Sequence, residues 1–337
     1  MKHWLPLFAA LALASSALAA KTPTTATPYT YTRVGNSANV VSDMQGGVAL
    51  MGGAADVDEA FKRMCERSGG GDFLILTFNG TNEYNAYVKN LCPGLNSVAT
   101  LIIPSQKAAS TQAVKDIINN AEAIFIGGGD QSNYLNYWSN TGVQTALQAR
   151  INAGAPVGGI SAGLAVLTQF VYSALGSKGV TSSQALADPY NRYLTLARDF
   201  VSVPYLEGII GDTHFSARDR MGRDLAFHCR IFNNGWVSES GRSRGIAVDE
   251  ATALVVDELG IGTVYGPGHV YFEEAVGPAT TCQAGQPLTY RNVGVHRVGQ
   301  GGSFDLGSWS GLSGGVDYAV SADAGVMSST QDDGSLY

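Results

Sequence analysis

No block of like charge interrupts this chain. Its 337 residues carry 21 Lys and Arg against 28 Asp and Glu, a formal net charge of -7. That leaves no electrostatic footprint for a nucleic acid or an anionic membrane surface. Past the N-terminus the chain has no run near the ~20 apolar residues that a membrane-spanning helix needs. Its four cysteines, Cys65, Cys92, Cys229 and Cys282, show no C-x-x-C spacing. A zinc site is therefore not expected, and no other metal or cofactor is implied. Histidine is scarce: beyond residue 20 only His214, His228, His269 and His296 remain. There is no internal repeat and no linker that demands a second independent domain.

What is present begins with a targeting pattern. Lys2 and His3 precede an apolar run from Leu5 to Leu13, and Ala17-Leu18-Ala19 forms an A-x-A cleavage signal. Residues 1–20 read as a signal peptide and residues 21–35, rich in Thr and Pro, as a flexible lead-in, so an exported soluble protein is expected. In an oxidising compartment an even number of thiols can form two disulfides. Of the three connectivities, the local one joins Cys65 to Cys92 and Cys229 to Cys282; four buried free thiols are the alternative.

From about residue 36 to 260 strand-like and helix-like patterns alternate. Strands are expected within 40–53 and over 72–78, 99–103, 121–126 and 157–160. Helices are expected over 57–67, 82–91, 111–120, 134–138 and 142–153. Such alternation predicts an α/β fold with a mainly parallel sheet and helices on both faces. Residues 173–191 read as a long surface loop, 200–210 as a strand and 218–227 as a helix. The stretch 261–337 is rich in Gly and Ser and predicts β hairpins packed on the core, with a frayed tail after about Met327.

Ligands of a parallel sheet sit beyond the C-terminal strand ends. There the sequence places Gly52-Gly53, Gly127-Gly128-Gly129 and Gly159-Ile160-Ser161-Ala162-Gly163. The last is a G-x-S-x-G turn, which holds a serine at a strained strand-to-helix corner and makes it a candidate nucleophile. A capping serine is the plainer alternative. A serine needs a base. His214, at a predicted strand end after Asp212, is the best placed of the four histidines. The base in turn needs a carboxylate, and Asp249-Glu250 lies where a strand pauses. Period-2 alternation sends the two side chains to opposite faces, so one is expected to act and the other to be solvated. The N–H of Ala162 and donors of the 127–129 loop, Gly128 and Gly129, are the candidate oxyanion hole. Arg218, Arg220 and Arg223 suit carboxylate recognition, or else a salt-bridged surface helix with Asp219 and Asp224.

Taken together, Gly-Gly-Gly-Asp-Gln (127–131), Gly-Ile-Ser-Ala-Gly (159–163), Asp-Thr-His-Phe-Ser-x-Arg-x-Arg-x-Gly-Arg (212–223) and Gly-Ile-Ala-Val-Asp-Glu-x-Thr-Ala (245–253) resemble the cyanophycinase family. This is a branch of serine peptidases that includes peptidase E. The resemblance runs from about residue 45 to 260. It implies a flavodoxin-like core similar to class I glutamine amidotransferases. It implies hydrolysis of cyanophycin, a β-aspartyl-arginine polymer, to β-Asp-Arg dipeptides, with Ser161 as nucleophile, His214 as base and Glu250 as acid (Asp249 the alternative). Gln131, Asp212, Arg218, Arg220 and Arg223 would hold substrate, Asp212 its arginine side chains. The sequence departs from the family at Ile160, Leu164 and Thr213. An exopeptidase of short aspartyl or isoaspartyl peptides and a non-catalytic binding protein on the same fold are the other readings. The assembly state, a homodimer included, is open.

Overall fold

The computed structural model describes Met1 and residues 27–337; the expected signal peptide and most of the lead-in lie outside the described residues. Five parallel strands form the centre of one continuous sheet. They are ordered Ser97–Ile102, Asp72–Thr77, Ala123–Ile126, Val157–Ile160 and Val48–Met51. Numbered from Asp72–Thr77, the first four run 2-1-3-4 as in a flavodoxin-like sheet, and Val48–Met51 fills the next place. Each of these strands is buried almost throughout, which is why they read as continuous apolar runs rather than alternating ones.

Helices Asp58–Arg67, Glu83–Leu91, Gln112–Asn119 and Gly142–Asn152 connect them, each with one apolar stripe turned inward. Apolar side chains collect in two clusters on the central strands. One contains Leu50, Leu76 and Ile126; the other contains Met51, Phe61, Ile75 and Phe125.

Beyond Val48–Met51 the sheet turns antiparallel through Ala253–Val256, Ile261–Tyr265, Tyr290–Asp305, Val270–Val276 and Arg242–Val248. It then becomes parallel again at Ile209–Asp212 and Phe170–Tyr172. The far part of the ladder returns to the near part. His214 N–H donates to the Gly52 carbonyl at 2.9 Å and Ala251 N–H to the Gly53 carbonyl at 2.9 Å. The loops after Val48–Met51 and after the neighbouring strands Ile209–Asp212 and Arg242–Val248, far along the ladder from it, therefore meet at one sheet edge.

Several expectations are corrected. Thr30–Gly35, placed in the flexible lead-in, is an edge strand paired antiparallel to Ser97–Ile102. Within the expected loop 173–191, Ser182–Ala187 is helical, closed by a capping box between Thr181 and Gln184. Of the expected strand 200–210 only Ile209 and Ile210 are extended in the ladder. Left-handed turns at Tyr205 and Gly208 break it, and Phe200, Val201 and Val203 are buried from a loop. The segment 218–227 is a short 3-10 turn, Ser216–Arg218, followed by the helix Met221–Asn233. The expected frayed tail is instead tied down: Val326–Ser329 is a strand and the Leu336 carbonyl accepts from Tyr318 Oη at 3.0 Å. Cys65 is bonded to Cys92 and Cys229 to Cys282, with Cα separations of 6.3 and 6.0 Å.

Candidate active site

Ser161 stands between the strand Val157–Ile160 and the single turn Ala162–Ala165, with φ +53 and ψ -115. A backbone of this kind costs on the order of 1–3 kcal/mol and persists only where its surroundings impose it. They do here. Ser161 N–H donates to the Met51 carbonyl at 3.0 Å. A side chain at Gly163 would run into the Ile126 carbonyl, and one at Gly159 into the backbone of Gly163. The two glycines of the G-x-S-x-G spacing are thus required by close backbone approach, and the serine is pushed outward.

His214 follows the strand Ile209–Asp212, also at positive φ (+49). Its Nε2 lies 2.9 Å from Ser161 Oγ and its Nδ1 2.6 Å from Glu250 Oε1. The ring packs directly on Gly53 (φ +114), where any Cβ would overlap it. With Nδ1–H donated to the carboxylate, Nε2 is the acceptor for the serine proton. Burial lowers the pKa of His214. The bond to Glu250 opposes that, and the nearby Arg218 and Arg220 cations lower it further. The imidazole is therefore neutral, and able to act as a base, at neutral pH.

Asp249 and Glu250 engage different partners, but both lie past the end of the strand Arg242–Val248, in the turn that follows it, where strand alternation does not govern them. Glu250 turns to His214. Asp249, however, is buried rather than solvated: it accepts from Ser216 N–H at 2.9 Å, His269 N–H at 3.0 Å and Tyr271 Oη at 3.3 Å. It staples the loops that carry the site.

The N–H groups of Gly128, Gly129 and Ala162 meet no acceptor among the described residues. Gly128 lies against the serine: a Cβ there would be 3.8 Å from Ser161 Cβ. Ser161 and His214 open onto a pocket of about 250 Å3 that Gly129 and Gln131 also line. Larger cavities, of about 490 and 520 Å3, lie elsewhere; chemistry, not size, marks the site. Gln131 Nε2 donates to the Tyr172 carbonyl at 3.1 Å. Arg218 Nε lies 3.6 Å from Glu250 Oε1 with its side chain half exposed. Arg220 donates to the Thr213 carbonyl at 2.6 Å and reaches Asp212 Oδ1 at 3.2 Å.

Asp212 and Arg223 depart from the expected substrate contacts. Both are buried and bound to each other: Arg223 Nε donates to Asp212 Oδ2 at 2.6 Å, and its Nη2 to Oδ1. Burial pushes the Asp212 carboxyl up, but Arg223 and Arg220 outweigh it and hold the group below the usual carboxylate range. Its oxygens are already engaged, so none is left for a substrate guanidinium. Asp224, the expected surface partner, is buried too; burial and the adjacent Asp212 and Glu273 push its pKa well up. Sequence reasoning missed Lys178 and Asp130, which also line the pocket, Asp130 as its one carboxylate among the described residues. Asp130 was legible as the N-cap of the helix Gln131–Trp138, which it closes at 2.9 Å to Ser132 N–H; nothing in the sequence marks Lys178. The remaining histidines are elsewhere: His228 is buried between Ser243 and Glu273, and His296 pairs with Asp317. His269 holds the Asp249 staple through its backbone.

The model of peptidase family S51 matches residues 53–188. Cyanophycinases from Nostoc sp. and Trichormus variabilis are each 28% identical over 218 residues, covering 63% of this chain and 66% of their own. The chain thus spans just under two thirds of the length of these two relatives. The cyanophycinase of Geminocystis herdmanii is 24% identical over 288 residues, covering 81% of this chain and 98% of its own. Among solved structures, a peptidase from an acI-B1 Actinobacterium superposes with a TM-score of 0.47 at 16% identity, covering 78% of this chain and 98% of that one. A putative peptidase E from Listeria monocytogenes gives 0.41 at 14%, covering 66% and 98%.

Proposed function

We propose that this chain, which belongs to peptidase family S51 and is a serine-type peptidase, hydrolyses cyanophycin to β-Asp-Arg dipeptides through an acyl-enzyme. The observation that carries the reading is the unbroken line Ser161 Oγ, His214 Nε2, His214 Nδ1, Glu250 Oε1 at 2.9 and 2.6 Å, opening on a pocket rich in cations.

In this mechanism Ser161 Oγ attacks the scissile carbonyl as His214 Nε2 takes its proton. The carbonyl oxygen becomes an oxyanion held by the N–H groups of Gly128, Gly129 and Ala162, donors of a kind worth ~3 kcal/mol each in the transition state. Glu250 stabilises the imidazolium, which then protonates the leaving amine. Water, deprotonated by the same imidazole, releases the acid and restores the serine. Arg218, Arg220 and Lys178 face the pocket, so free substrate carboxylates have cations to meet. Asp130, rather than the occupied Asp212, is the carboxylate available to a guanidinium.

Secretion is part of the proposal. It is supported by the N-terminal pattern of the sequence and by two disulfides, which persist in oxidising compartments; recovery of mature protein in the medium or periplasm, with its N-terminus at residue 20 or 21, tests it. The test of function is product analysis. Purified protein on insoluble cyanophycin should release β-Asp-Arg, and Ser161→Ala should release none while staying folded. Turnover of Asp-X or isoaspartyl dipeptides alone would assign the exopeptidase activity instead. No turnover and no labelling by a serine-reactive probe would leave a binding protein.

A further inference from the structure

The segment 214–221 carries the base and two of the pocket arginines on a backbone that is costly twice over, at His214 (φ +49) and Asp219 (φ +48). Non-glycine residues hold such angles only where neighbours over-determine them. Asp219, between Arg218 and Arg220, is held from three sides. Its N–H donates to Ser216 O at 3.1 Å, its carbonyl accepts from Ser182 Oγ, and its carboxylate accepts from Tyr337 Oη at 2.9 Å. The same Tyr337 oxygen accepts from Met221 N–H at 3.0 Å, a first-turn donor with no intrahelical partner. One hydroxyl therefore ties down the residues on both sides of Arg220.

The Tyr337 ring continues the clamp. It meets the ring of Phe215, the residue after His214, edge-on at 5.6 Å between centroids, and that of Tyr271 at 6.1 Å. Tyr271 in turn reaches Asp249. Tyr337 is itself anchored, its carbonyl accepting from Ser335 Oγ at 2.7 Å and the neighbouring Leu336 carbonyl from Tyr318 Oη.

We propose that Tyr337 is a positioning residue for the peptidase site: through Asp219, Met221 and Phe215 it sets the segment that aims Arg218 and Arg220 into the pocket and keeps Arg218 beside Glu250. This rests on the serine-peptidase reading above. It gives the β-rich region beyond residue 261 a part in substrate binding that no motif of the site contains.

The test uses the full chain with Tyr337→Phe, which keeps the ring and removes both hydrogen bonds, and Asp219→Ala, which removes the acceptor of the Tyr337 hydroxyl. Two readouts are taken: KM and kcat on cyanophycin, and the pH dependence of inactivation by a fluorophosphonate, which needs Ser161 and His214 but no particular substrate. Tyr337→Phe should melt within a few degrees of wild type and raise KM about 3- to 10-fold with kcat nearly unchanged. Its acid limb should move to higher pH, because Arg218, which disfavours protonation of His214, is no longer held close. Asp219→Ala should reproduce both effects, and the double variant should be no worse than either single one. A folded Tyr337→Phe with wild-type KM and acid limb, a change in melting alone, or strictly additive effects would overturn the proposal. If wild type is labelled at Ser161 but does not cleave cyanophycin, only the substrate is wrong, and the acid-limb shift still decides the role of Tyr337. A wild type that resists the probe removes the peptidase mechanism and this proposal with it.

Discussion

Glu250→Gln and Asp249→Asn should separate chemistry from stability at two adjacent carboxylates. Glu250 Oε1 sits 2.6 Å from His214 Nδ1. An amide there cannot stabilise the imidazolium, and where its NH2 faces the ring it selects the wrong tautomer. Loss of such a carboxylate in a serine triad lowers kcat by about 10^4, or about 5.4 kcal/mol of transition-state stabilisation. Glu250 is only partly buried, so its variant should melt close to wild type. Asp249 accepts from Ser216 N–H, His269 N–H and Tyr271 Oη and touches no reacting atom. Its amide would turn a donor onto donors, costing about 1–3 kcal/mol of folding stability, while kcat should fall less than about 10-fold. The assay is kcat on cyanophycin beside thermal melting for both variants. The reverse pattern, with Asp249→Asn inactive but stable and Glu250→Gln active, would refute the assignment of the acid.

Three further outcomes are expected. Since the His214 pKa lies below its ordinary 6.5 and the base must be neutral, kcat/KM should hold from pH 8 down past 6.5 and fall only at lower pH; Arg218→Ala removes a cation and should move that limb upward, as a pH–rate profile will show. Gly53→Ala should abolish cleavage with the protein still folded, because the new methyl group takes the space of the His214 ring at a φ of +114; activity measured beside circular dichroism checks this. The disulfides close loops of 27 and 53 residues, worth about 3.5 and 4 kcal/mol by chain entropy, so reduction should lower the melting temperature markedly, more for the Cys229–Cys282 bond if each is removed singly.

The parallel core was readable because strands such as Asp72–Thr77 and Ala123–Ile126 are buried on both faces and punctuated by glycine loops and amphipathic helices. Ser161 was readable from the steric demand that Gly159 and Gly163 satisfy. That only one of Asp249 and Glu250 reaches His214 was expected from strand alternation, but the two residues lie in the turn after Arg242–Val248, and neither that turn nor the burial of Asp249 was legible. What escaped depends on partners distant in sequence. Asp212 and Arg223 lie on a strand end and a helix that the fold buries together, and only the finished packing shows that they are engaged with each other. Thr30–Gly35 is polar and alternates poorly, since it needs only one neighbour to be an edge strand. Phe200, Val201 and Val203 have strand-like composition but fill the core from a loop. The capping box at Thr181 and Gln184 was a local signal and could have revealed the helix Ser182–Ala187. Tyr337 carried no local signal.

The most direct measurement is intact-mass and peptide mapping of the purified protein after reaction with a fluorophosphonate. A single adduct on Ser161 in wild type, strongly diminished in His214→Ala and absent in Ser161→Ala, is the predicted result. Labelling of a different serine, or equal labelling of Ser161 with and without His214, would contradict the account.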